Sequence, residues 1–143
     1  MQLTIQAPGG EPLPEELLHQ GIKLLLDSEG VSDGEISITY LADESMLELN
    51  QRYLGHDWVP DVLSFPLHEP EEPVMGDVYV GFQQALRQAA SERVPVPEEL
   101  LRLALHGTLH LLGYEHPDHP AERSGSPMYQ LQERLVRSVV ERA

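Results

Sequence analysis

Three of the seven histidines of this 143-residue chain fall within Leu103–His116, LALHGTLHLLGYEH, on a background of leucine. Imidazole is costly to bury without a partner for its polar atoms. A lone histidine on an apolar face is ordinarily a core residue with one hydrogen bond, and a pair four residues apart can still be structural. Here, however, His106 and His110 share a helical face at about 6 Å along the axis, so both can aim at one point. Gly113 can adopt the left-handed backbone that turns the chain back and lets His116 reach the same point. The spacing H-x-x-x-H-x-x-G-x-x-H thus supplies three nitrogen ligands and leaves a fourth position open, the arrangement of a catalytic rather than a structural zinc site. His106, His110 and His116 are therefore expected as metal ligands and, through water on the metal, as the catalytic centre. His119 lies in a Pro-flanked loop and is expected at the surface or behind a ligand.

Metzincin proteases share this spacing but place Glu, their general base, after the first histidine. That position is Gly107 here. Loss of a general base typically costs about 10² to 10⁴ in rate, so the metal site stands while a metallopeptidase is disfavoured.

HGTLHLLGYEH resembles the signature of the bacterial YbeY proteins, close to H-G-x-L-H-L-x-G-Y-D-H, and departs from its fixed positions at Glu115 alone, where the family has Asp. Upstream, YLGHDWVPDVLSFP is similar to the family's Y-R-x-x-D-x-P-T-D-V-L-S-F-P, and Gly76–Val78 to its G-D-I strand. The similarity runs from about Asn50 into the C-terminal helix. This resemblance implies one zinc per chain on His106, His110 and His116 and single-strand-specific endoribonuclease activity in rRNA maturation and ribosome assembly. It also implies an α+β fold, with single-stranded or ribosomal RNA and proteins of the small ribosomal subunit as partners. Membrane and DNA are not expected as partners. Two departures matter: the family's frequent Arg after Tyr53 is Leu54, and the Thr before the Asp is Pro60. Phosphate contact at Leu54 is thereby ruled out, and Arg52, on the opposite side of a helix end, is not expected to substitute.

Phosphodiester cleavage asks for a Lewis acid and a nucleophile, and zinc supplies both by polarising the phosphoryl oxygen and acidifying its water. Attack by the 2′-hydroxyl is the other route, and the residues do not separate the two. Further candidates for the cleft are His56 and Asp57 after Gly55, as substrate contacts or proton donors or simply as a solvated loop pair. Ser64 in a strand bonds either ligand or backbone. Asp77 either orients a ligand histidine or caps a turn. Glu115, beside His116, is a candidate base. A non-catalytic zinc-containing ribosome-assembly factor is the alternative of a different class.

Charge weighs against a polyanionic substrate. With 24 acidic and 9 basic side chains the net charge is −15, which gives little global attraction for RNA. A local cleft with zinc and a few of Arg52, Arg87 and Arg93 can still be positive. The start of the chain shows no basic n-region before an apolar run, and no stretch of about 18 apolar residues occurs, so a cytoplasmic protein is expected.

The elements that must position these residues are legible as patterns. At this length a single domain over 1–143 is expected, able to bury roughly 70% of its unfolded surface. Leu3–Ala7 alternates as a strand, and Gly34–Ala42 repeats the pattern with Ile36, Ile38 and Tyr40 on one face. Pro14–Ser28 has apolar residues at helical spacing, and Asp43 is a plausible N-cap for a helix ending before Gly55. Asp61–Pro66 and Gly76–Phe82 follow as strands across an acidic, Pro-rich loop, then helices at Phe82–Glu92, Pro97–Leu112 and Met128–Arg142. The order points to α+β: a small mixed four-stranded sheet covered by about five helices, one of them a zincin-like metal helix.

Overall fold

The computed structural model describes residues 1–116 and 120–142, so His119 lies outside the described residues. Strand β1 (Gln2–Gln6) leads through helix α1 (Glu15–Ser28) to β2 (Gly34–Leu41), and α2 (Asp43–Leu54) follows. Then come β3 (Val62–Pro66), β4 (Val74–Gly81), α3 (Phe82–Glu92), α4 (Val96–Leu111), a single turn α5 (Pro120–Arg123) and α6 (Pro127–Arg142). The sheet order is β1-β2-β4-β3, parallel at β1–β2 and β2–β4 and antiparallel at β3–β4. Parallel neighbours need a crossover, which α1 supplies between β1 and β2. The fold is α+β with a mixed four-stranded sheet, as expected from the sequence.

Strand alternation decides which face carries what. Ile36, Ile38 and Tyr40 of β2 and Val78 and Val80 of β4 are buried, joined by Leu18, Ile22, Leu25 and Leu26 from α1. Helix α4 runs through the middle of this layer, touching α1, α3, α6, β3 and β4. Leucines all round its cylinder make that possible: Leu100, Leu101, Leu103, Leu105, Leu109 and Leu111 are each at most 5% exposed. Buried Tyr40 donates its hydroxyl to the Leu100 carbonyl at 2.8 Å, pinning α4 to β2.

Element ends fall within two residues of the patterns, with one change of role. Asp43 is the first residue of α2, not its cap: Ala42 takes the extended backbone. The Asp43 N–H is instead met by Gln83 Oε1 of α3 at 2.8 Å, and its carboxylate takes a two-pronged bond from Arg87 at 2.8 and 2.9 Å. A cap supplied across the fold satisfies the helix end that a local side chain otherwise would.

Candidate metal centre

His106 and His110 sit one turn apart on α4 and turn their rings toward each other, with Nε2 atoms 3.2 Å apart. His116 closes the triangle, its ring centroid 5.1 Å from each of the other two. The potential ligand atoms of all three lie within 4.8 Å of one another. The return is made by Gly113 at φ 95°, a backbone region that favours glycine. Tyr114 N–H reaches back to the Leu109 carbonyl at 3.0 Å and Gly113 N–H to that of His110 at 3.1 Å, a Schellman cap.

That cap also sets a tautomer. The Tyr114 carbonyl lies 3.0 Å from His110 Nδ1, and a carbonyl only accepts, so Nδ1 carries the hydrogen. His106 Nδ1 faces Gln132 Oε1 of α6 at 2.7 Å. Gln132 donates its Nε2 to Glu133 at 3.1 Å, which turns Oε1 toward the imidazole and makes His106 Nδ1 a donor as well. Both Nε2 atoms are therefore bare lone pairs pointed at each other. Burial pushes both imidazoles below their ordinary pKa, and for His110 the neighbouring His106 adds to it. Neutral rings with converging lone pairs are what a divalent cation requires of histidine ligands, and the three residues fit one.

Gly107 shows why no base follows the first histidine. A Cβ there would meet Val78 Cγ1 at 2.4 Å and Val62 Cγ2 at 2.9 Å. The helix rests on β3 and β4 at this residue, and Ser64 of β3 donates its hydroxyl to the Gly107 carbonyl at 2.8 Å. Glutamate at 107 is sterically excluded, and with it the metzincin arrangement.

A cleft of about 640 Å³ holds the three histidines, with His56, Trp58, Ser64 and Tyr129 on its walls and Arg102 and Arg123 along it. Of the expected cleft residues, His56 and Ser64 are brought here, Ser64 with its proton committed to backbone. Glu115 is exposed and lines the neighbouring grooves with His116 on one side and His110 on the other. Asp57 accepts a bond from Gln51 at 2.6 Å at the surface and does not line the cleft. Asp77 requires correction. It bonds the Ser37 hydroxyl at 2.5 Å, and strand alternation puts it on the sheet face opposite Val78, which touches α4, so it orients no ligand histidine.

The arginines are also redistributed. Arg52 pairs with Glu48 at 3.2 Å on exposed α2 and Arg87 pairs with Asp43, while Arg93 lies at the C-cap of α3; none of them lines the cleft. Arg102 does, one turn before His106, but it is shared among Glu99 at 2.7 Å, Glu133 at 2.9 Å and Glu98 at 3.1 Å. Burial opposes its charge, and the bonds to Glu133 and Glu99 outweigh that and hold its pKa above the usual range. Glu99 is raised by burial, against the pull of Arg102.

Gln132 and Arg102, like Trp58, Arg123 and Tyr129 of the cleft, are residues that pattern reading passed over. Gln132 interrupts the buried stripe Met128, Leu135, Val136 and Val139 of α6 and is itself 4% exposed. A single amide at a core position of a helix is the signal that could have found it, because a buried amide must have partners.

Fold and centre together define an α+β protein with a three-histidine site fit for a metal ion. The chain belongs to the YbeY family: the family model described as Endoribonuclease YbeY matches residues 11–140. It is 32% identical to the Endoribonuclease YbeY of Persephonella marina over 92% of this chain and 87% of that one. To that of an Anaeromyxobacter species it is 46% identical over 85% of this chain and 64% of the other. A solution structure of a Thermotoga maritima protein superimposes with a TM-score of 0.65 at 28% identity, covering 96% of this chain and 89% of that one.

Proposed function

We propose that this protein is a zinc-dependent, single-strand-specific endoribonuclease of rRNA maturation and ribosome assembly, working in the cytoplasm with proteins of the small ribosomal subunit. The observation that carries the reading is the pair of bare Nε2 atoms 3.2 Å apart, with His116 beside them. Family membership supports RNA as the substrate. His106, His110 and His116 hold the ion. Zinc so held supplies a Lewis acid for the phosphodiester and lowers the pKa of its water toward about 7.

The remaining work falls to the chain. Gln132 and the Tyr114 carbonyl keep the hydrogens of His106 and His110 on Nδ1, away from the centre. Glu115, exposed next to His116 and lining the adjoining grooves, is our candidate to take a proton, and His56 on the cleft wall our candidate to meet substrate. Ser64 ties β3 to α4 rather than binding ligand.

The test pairs elemental analysis with cleavage of a single-stranded RNA. About one zinc per chain, with cleavage that disappears in folded His110→Ala, is expected. A wild type that binds zinc and leaves RNA intact would instead fit an assembly factor and overturn the enzyme reading.

A further inference from the structure

In a chain at −15, where one of the two cleft arginines, Arg102, is already shared by three glutamates, an uncharged contact would add to what charge can do in holding a nucleic acid strand. We propose that Trp58, backed by His56, is a stacking platform for an unpaired nucleobase of the strand that occupies the metal cleft. This rests on the endoribonuclease reading above and deepens it by naming how single strands are selected.

Trp58 is the one tryptophan of the sequence and is 58% exposed, an unfavourable position for so large an apolar ring. Its loop is well tied. Buried Asn50 donates Nδ2 to the Trp58 carbonyl at 2.9 Å, His56 N–H donates to the Asn50 carbonyl at 3.2 Å, and Gln51 holds Asp57. The His56 ring lies against one face of the indole, centroids 4.3 Å apart and planes at 14°, so the exposure belongs to the remainder of the ring. Both rings line the cleft that holds His106, His110 and His116, with Tyr129, 39% exposed, from the start of α6.

A rigid, half-covered indole at the wall of that cleft matches a flat π-face of similar size. Every base offers one, so such contacts tolerate any sequence, and their strength does not depend on net charge. A base inside a duplex has both faces covered by its neighbours and cannot use the platform without being unstacked. Selection of single strands then follows from the loop between α2 and β3 without a basic surface.

As the sole indole, Trp58 reports its own contact. Full-length, zinc-loaded protein is titrated with a mixed-sequence 2′-O-methyl decamer, the same decamer annealed to its complement, and a decamer whose central residues are abasic. Saturable quenching of indole emission is expected with the single strand, with at least about fivefold weaker binding of the other two. With a dye-labelled decamer, Trp58→Ala is expected to weaken binding about tenfold, and Trp58→Phe to stay within about threefold of wild type. Equal quenching by the abasic strand, or an unchanged Kd in Trp58→Ala, would overturn the platform. RNA cleavage with an unperturbed indole overturns the platform alone. A quenched indole without any cleavage overturns the endoribonuclease reading alone, and absence of both overturns both.

Discussion

His106 and His110 face each other through Nε2 atoms 3.2 Å apart, and neither carries a hydrogen there because each Nδ1 is already a donor. Two lone pairs at that distance repel unless a cation lies between them. A bound divalent ion should therefore stabilise the protein markedly. With free metal at about 100 times its Kd the gain is about 2.7 kcal/mol. Thermal unfolding with and without chelator checks this, and His110→Ala should abolish the difference.

Gln132 would act on a bound metal through His106. Gln132→Leu removes the acceptor for Nδ1–H and should weaken metal affinity about 10- to 100-fold, while Gln132→Glu, which keeps an acceptor there, should largely preserve it. Competition against a chelator of known affinity separates the two variants.

The metal-free protein should lose stability as pH falls. Burial lowers the pKa of both His106 and His110 in the folded state, so between the folded values and about 6.5 the unfolded chain binds more protons. Stability is then greater above that window and is lost on acidification through it. Urea unfolding of the metal-free chain at pH 7.5 and pH 5.5 should show the drop. A His106→Asn/His110→Asn double variant should show a smaller one.

Gly107→Ala puts a methyl 2.4 Å from Val78 Cγ1 and lifts α4 off the sheet. A cost of about 1 to 3 kcal/mol is expected from overpacking. Because the same helix carries His106 and His110, metal affinity should fall with stability, which calorimetry with and without zinc measures.

Arg102→Met should leave three carboxylates, Glu99 among them at 4% exposure, without their cation. A loss of about 3 kcal/mol is expected, as for a broken buried ion pair. The variant Arg102→Met/Glu99→Leu/Glu133→Leu should recover part of it in denaturant unfolding.

The clustering of the three histidines and α4 were legible because their signals are local: spacing of four, a glycine at the turn, leucines all round. Gly113 and the return of His116 needed nothing beyond backbone geometry. Asp77 was misread because β4 has large apolar residues on both faces, Met75 and Tyr79 on one and Val74, Val78 and Val80 on the other, so alternation did not mark its inner side. The arginines were misjudged for a different reason. Which of them reaches a cleft depends on pairings across elements, such as Arg87 with Asp43 over 44 residues, and no local pattern encodes these. Gln132 lies 26 residues from His106 and was equally out of range of spacing arguments.

The bond from α6 to His106 ties ion retention to helix breathing. Opening of α6 from α4 would release His106 to rotate or switch its hydrogen, and an ion held there would lose that anchor without any change in the sheet. The off-rate of an ion bound there should therefore track the opening of α6 seen by amide exchange, making it a slow clock for local fluctuation rather than a report on global unfolding.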